Sequence, residues 1–186
     1  MLRKLKTWDF ASKFVSRSRY TKPTDKVASR QFGKWTRNQL VDLGPTFIKL
    51  GQLASTRVDV YSPEFIDELS ILQDGVLPIP SDVVIDIIET ELAMPIESVF
   101  KDFDIEPMKS ASLGQVHSGT LHSNVPVVVK IQRPDIQIII EDDIKTITEI
   151  LKIFDMIGIE TGPSSKELFE EASKYLLMEL DYTLEA

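Results

Sequence analysis

The sequence predicts an α+β fold from three observations. Apolar residues recur at helical spacing through most of the first hundred positions, the period drops to two over residues 112–132, and helical spacing returns from Ile136. The middle stretch is rich in β-branched residues, with Val125, Val127, Val128, Val129 and Ile131 close together. At 186 residues and 42% hydrophobic content, the chain has material for one sizeable core.

The first element is a basic arm. Residues 1–30 carry nine Lys or Arg against only Asp9 and Asp25, although the whole chain has a net charge of −8. The body is therefore strongly acidic, which argues against nucleic acid as a partner. Leu2, Leu5, Trp8, Phe10, Phe14, Val15 and Tyr20 interleave with the positive charges. Such a segment suits an anionic membrane surface, an organelle transit peptide, or a solvated helix packing a few apolar residues on the domain. No secretory hydrophobic region follows the first residues, and no run reaches the roughly 18 apolar residues of a spanning helix, so any membrane association is expected to be peripheral.

Gly44 and Pro45 then break the chain and open a helix. On its wheel Phe47, Leu50, Ala54 and Val58 form an apolar stripe, and Lys49, Gln52 and Thr56 a polar one. Ser62 and Pro63 signal the next helix, through Leu72, with Phe65, Ile66, Leu69 and Leu72 inward. Pro78, Ile79 and Pro80 make a rigid break. Ser81 caps a helix whose Val83, Val84, Ile87, Ile88 and Leu92 share a face, ending before Pro95.

Residues 112–121 and 125–132 read as an antiparallel hairpin turning at His122, Ser123 and Asn124. The two-residue period puts Val127, Val129 and Ile131 on one face and Val128 with Lys130 on the other. A lysine among valines in a central strand is costly unless its charge is paired or bound, which singles out Lys130. Arg133, Pro134 and Asp135 end the strand. A long helix over 136–157 follows, with Ile140, Ile144, Ile147 and Leu151 in register, then a linker at Gly158, Gly162 and Pro163. Ser164 with Glu167 forms a capping box for a final helix carrying Leu168, Phe169, Ala172, Tyr175 and Leu176 inward. Cysteine is absent, and His117 and His122 read as strand and turn residues, so no metal site is expected.

Several motifs resemble, in order, the landmarks of the UbiB family, the AarF-domain-containing, atypical protein-kinase-like ATPases. Lys49, Leu50, Gly51 and Gln52, followed by Ser55, Thr56 and Arg57, resemble its K-x-G-Q motif. Leu72, Gln73 and Asp74, then the run from Ser110 to His117, then Val127, Val128, Val129 and Lys130, then Arg133 and Pro134, then Glu179, Leu180, Asp181 and Tyr182 look like the successive landmarks. The likeness covers about residues 40–186. It implies a protein-kinase-like amino-terminal lobe, an antiparallel sheet plus helices, with a helical extension. The expected divisions are a basic arm over 1–40, the K-x-G-Q extension over 41–102 and a truncated lobe over 103–186.

The resemblance further implies ATP with Mg2+ as cofactor. Lys109, Ser110, Ala111, Ser112, Leu113 and Gly114 stand where kinases have the glycine-rich loop, Val116 and Val128 would face the adenine, and Lys130 would hold the phosphates. Two departures stand out. Lys109 and Ser110 replace the family's usual alanines, and Val128 replaces the usual alanine over the base, so the slot is expected to be tighter. Glu179 and Asp181 match the E-x-D motif expected to engage Lys49, and Glu185 would pair with Lys130. On an ideal helix Asp181 and Glu185 share a face and Glu179 points away. Lys49 and Gln52 are expected to occupy the space a protein substrate needs, leaving room for ATP and a small or lipid-like molecule.

The catalytic Asp, the metal-binding Asn and the D-F-G aspartate of kinases find no match, so the carboxyl-terminal catalytic lobe, with the Mg2+ ligands, is expected to be absent. A complementing lobe is then an expected partner, and the chain alone is not expected to turn over ATP. The family links the chain to ubiquinone or other isoprenoid-quinone and lipid metabolism, and to a peripheral membrane setting in a mitochondrion, a plastid or on a bacterial cytoplasmic face. The alternatives are a non-catalytic module that docks a membrane or a protein, and a non-functional remnant.

Overall fold

The computed structural model describes residues 1–73, 76–159 and 165–182. Among them lie eight α-helices and one four-stranded antiparallel sheet, the α+β architecture that the change of period predicts. Two compact units form, one of Met1–Gln73 with Gln137–Ala186 and the other of Asp74–Ile136.

The first unit is helical. Its elements are α1 (Leu2–Tyr20), α2 (Lys26–Leu43), α3 (Pro45–Ala54), α4 (Pro63–Ser70) with a 3-10 turn at Ile71–Gln73, then, beyond the sheet, α7 (Ile136–Met156) and α8 (Ser165–Met178). Asp25 caps α2 by accepting from the Ala28 N–H at 3.0 Å. Gly44, at φ +93°, turns the chain between α2 and α3, a conformation a side chain would resist.

The inward face of α3 differs from the expected stripe. Thr46, Phe47, Ile48 and Gly51 are buried, while Val58 lies beyond the helix and is exposed. The stripe passes through a glycine, which hydropathy does not register as a core position. A Cβ at Gly51 would stand 2.6 Å from Leu40 Cδ1 and 2.5 Å from Leu72 Cδ1, so the missing side chain is what lets α3 seat there.

The basic arm folds as a packed helix, the third of the readings left open for it. Trp8 stands edge-on to Phe154, with ring centroids 6.1 Å apart. Phe10 stacks on Trp35 at 5.9 Å, and Phe14 meets Phe32 at 5.1 Å. Arg3 clamps Asp143 of α7 through Nε at 2.7 Å and a terminal nitrogen at 2.5 Å. That pairing shifts the buried stripe of α7 to Ile140, Asp143, Thr146, Ile150 and Phe154, away from Ile144, Ile147 and Leu151. Leu2 and Leu5 stay exposed at the start of α1. Among the described residues no helix is long and apolar enough to cross a membrane.

The second unit contains α5 (Ser81–Leu92), α6 (Ile96–Val99) and strands β1 (Phe100–Phe103), β2 (Lys109–Ser110), β3 (Gly114–Leu121) and β4 (Pro126–Gln132). Strand β3 organises the sheet. It pairs with β4 along its length on one side, and on the other with β2 near its start and β1 near its end. Strand β4 is thus an edge strand among those described, not the central one expected for Lys130. Val127, Val129 and Ile131 face the core formed by Val84 and Ile88 of α5 with Ile79 and Phe100. Ala93, at φ +53°, ends α5 and leaves Leu92 exposed, against the expectation that it lies inside.

Candidate functional site: the open face of the hairpin and the Lys49 helix

Register places the candidate nucleotide residues. Val116 pairs with Lys130 and Ser118 with Val128, so Val116, Val128 and Lys130 share the face opposite the α5 core. That face is open: Val128 is 67% exposed and Lys130 is exposed as well. The desolvation cost expected for a buried lysine therefore does not arise. Beside Val128 runs a groove of about 660 Å³, lined by Met108, Ser118, Thr120 and Asp102 among others.

The loop before β3 is a tight β2–β3 connection. Lys109 opposes Val116, Ser110 opposes Gln115, and the Ala111 N–H donates to the Gly114 carbonyl at 2.8 Å. Lys109 and Ala111 are exposed, while Ser112, Leu113 and Gly114 are buried. The Arg133 side chain lies against this loop. Its Nε donates to the carbonyls of Ala111 at 3.3 Å and Ser112 at 3.1 Å. A terminal nitrogen donates to Leu77 O at 2.8 Å, Ser110 Oγ at 3.2 Å and Ala111 O at 3.1 Å. Burial lowers the pKa of this guanidinium from its ordinary value, and it stays charged.

A second support is a buried polar relay on the core face. The Gln115 side-chain carbonyl accepts from the Ile79 N–H at 2.7 Å, which turns its amide nitrogen toward His117 Nε2 at 2.8 Å. His117 Nε2 must then accept, so the ring proton sits on Nδ1 and is donated to Asp104 O at 2.9 Å. The ring stacks on Phe103 at 5.3 Å. His117 is therefore a core histidine, and His122 faces the Glu97 carbonyl at 2.8 Å. Among the described residues no cluster of three His, Cys, Asp or Glu is placed to hold a metal. Gln115 and Arg133 both fall within runs that resemble the family's landmarks, but the sequence alone assigns neither side chain a role. The available signal was a Gln and a His two apart on the core-facing register of a strand.

The first unit holds the remaining candidates. Lys49 Nζ lies 2.5 Å from Glu179 Oε1, so the K-x-G-Q lysine and the first acid of E-x-D meet. Gln52 donates through Nε2 to Leu72 O at 2.8 Å, and so spends its amide on the chain that follows α4. Helix α8 ends at Met178, one residue before Glu179. Leu180 N–H then donates to Leu177 O and Asp181 N–H to Met178 O, a tightening to three-residue spacing. Ideal-helix faces therefore do not apply to Glu179 and Asp181. Asp181 is exposed, and Glu185 lies outside the described residues.

Comparison with known proteins bears on these motifs together. The model of the ABC1 atypical kinase-like domain matches residues 71–186. The chain is 36% identical over 184 residues to "Protein ACTIVITY OF BC1 COMPLEX KINASE 8, chloroplastic" of Arabidopsis thaliana, covering 97% of this chain and 24% of that protein. It is 39% identical over 164 residues to "Probable protein kinase UbiB" of Aliivibrio fischeri, covering 87% of this chain and 30% of that protein. A solved structure, "The complex structure of Rv3197-erythromycin from Mycobacterium tuberculosis", matches 57% of this chain and 27% of that one at 29% identity and a TM-score of 0.48. The chain thus spans between about a quarter and a third of the length of these curated relatives. By its match over residues 71–186, the chain belongs to the ABC1 atypical kinase-like domain family.

Proposed function

We propose that this chain is an ATP-binding portion of an ABC1/UbiB-type atypical kinase or ATPase, and that the open face of the β3–β4 hairpin takes the nucleotide. The carrying observation is the strand register, which sets Val116, Val128 and Lys130 side by side on one face, with Val128 and Lys130 exposed. Two valines offer an apolar surface for a base, the lysine a cation for phosphates, and residues 109–114 a backbone loop at the end of the same sheet. Mg2+ would accompany the nucleotide and neutralise its phosphate charge. Lys49 and Glu179, joined as an ion pair, are the further candidates for a role in the reaction.

The link to quinone or lipid metabolism follows the family, and the named relatives suggest a plastid or bacterial setting. A docking role has one observation of its own: Leu2 and Leu5 are exposed at the start of α1, beside Lys4 and Lys6, as on a helix that touches an anionic membrane surface.

A thermal-shift titration tests the nucleotide reading. Mg-ATP or Mg-ADP raises the melting temperature of the 186-residue chain, and Lys130→Ala removes the rise. A melting temperature that does not respond to millimolar nucleotide contradicts the proposal and leaves the docking role.

A further inference from the structure

Arg133 holds its place by backbone as well as side chain. Its own N–H donates to Leu113 O at 3.0 Å, and its carbonyl accepts from the Ile136 N–H at 3.2 Å across a turn made by Pro134 and Asp135. Asp135 sits at φ +55° in that turn. The residue is thus fixed at the end of β4, with its guanidinium against the loop.

The carbonyls of four successive loop residues are all engaged. Arg133 takes those of Ala111 and Ser112 by side chain and that of Leu113 by its backbone N–H, and Ala111 takes that of Gly114. In a trans peptide the C=O of one residue and the N–H of the next point in opposite directions. Drawing the Ala111 and Ser112 oxygens toward the guanidinium therefore turns the N–H groups of Ser112 and Leu113 the other way. An exposed carbonyl repels a phosphate oxygen, whereas successive N–H groups attract it.

We propose that Arg133 is a positioning residue for the nucleotide phosphates, withdrawing the loop carbonyls so that the loop meets the phosphates with its N–H edge. The inference rests on the nucleotide reading above and adds to it the residue that prepares the loop. A planar fork with five donors serves Leu77 O, Ser110 Oγ, Ala111 O and Ser112 O together. A lysine ammonium, with three donors around one point, does not span that set.

The test compares adenosine with Mg-ADP, because only the second needs the loop. Binding of both is measured by calorimetric titration on the 186-residue chain and on Arg133→Lys, with circular dichroism confirming the fold. Loss of the charged contacts that shape the loop predicts Mg-ADP affinity about tenfold weaker in R133K and adenosine affinity within about twofold of the parent. Arg133→Gln is the second variant. Amide exchange at residues 111 and 133, whose N–H groups donate to the Gly114 and Leu113 carbonyls, is measured without nucleotide and quickens in both variants if the loop is held as described. Equal weakening of both ligands makes Arg133 a structural staple and overturns the proposal, as does unchanged binding of Mg-ADP. If the parent chain binds neither ligand, the nucleotide reading itself falls, an outcome distinct from the others.

Discussion

Two ion pairs in the helical unit have the same 2.5 Å separation and different surroundings. The Asp143 side chain is 3% exposed and gripped at two points by Arg3, while Glu179 is 41% exposed and meets Lys49 at one. Removing Arg3 strands a buried carboxylate. Arg3→Ala is therefore expected to cost about 3 kcal/mol of stability, and Lys49→Ala about 1 kcal/mol or less, both read from urea unfolding. Equal losses, or a larger one at Lys49, would contradict this ranking. It makes Arg3 a stability residue and frees Lys49 to be judged by what it does. Asp143 escaped the sequence reading because an acid normally interrupts an apolar stripe, and its partner lies 140 residues away.

The elements were mostly legible where their periods are long. Helices α3, α4, α5 and α7 and the hairpin of β3 and β4 all follow from spacing and from Pro or Gly punctuation. Strand β2, two residues long, and β1, reading Phe100, Lys101, Asp102 and Phe103, carry too short a pattern to show alternation. They form because β3 offers its second edge. The end of α8 at Met178 was equally hidden, since residues 179–182 carry no breaker.

Of the candidate site, the shared face of Val128 and Lys130 came straight from the two-residue period. The support from Arg133 and Gln115 did not, because it runs through backbone carbonyls that leave no trace in residue type. Gly51 shows the same limit in a helix. Gly51→Ala gains up to about 1 kcal/mol of helix propensity and loses about 1–3 kcal/mol by overpacking Leu40 and Leu72. A lower midpoint in thermal or urea unfolding is expected. An unchanged or higher midpoint would show that both leucines move aside freely.

On the scale of the whole molecule, the chain is two compact units with a division of labour in their residues. The helical unit holds the Lys49–Glu179 pair, and the sheet unit holds the open hairpin face with its loop. Membership of the ABC1 atypical kinase-like domain family gives both sets of residues a common context. The central claim is that the hairpin face receives the nucleotide, and hydrogen exchange followed by mass spectrometry tests it most directly. Adding Mg-ADP at millimolar concentration is expected to slow exchange over residues 109–116 and 127–131. Unchanged exchange across both stretches, or slowing confined to other parts of the chain, would contradict it.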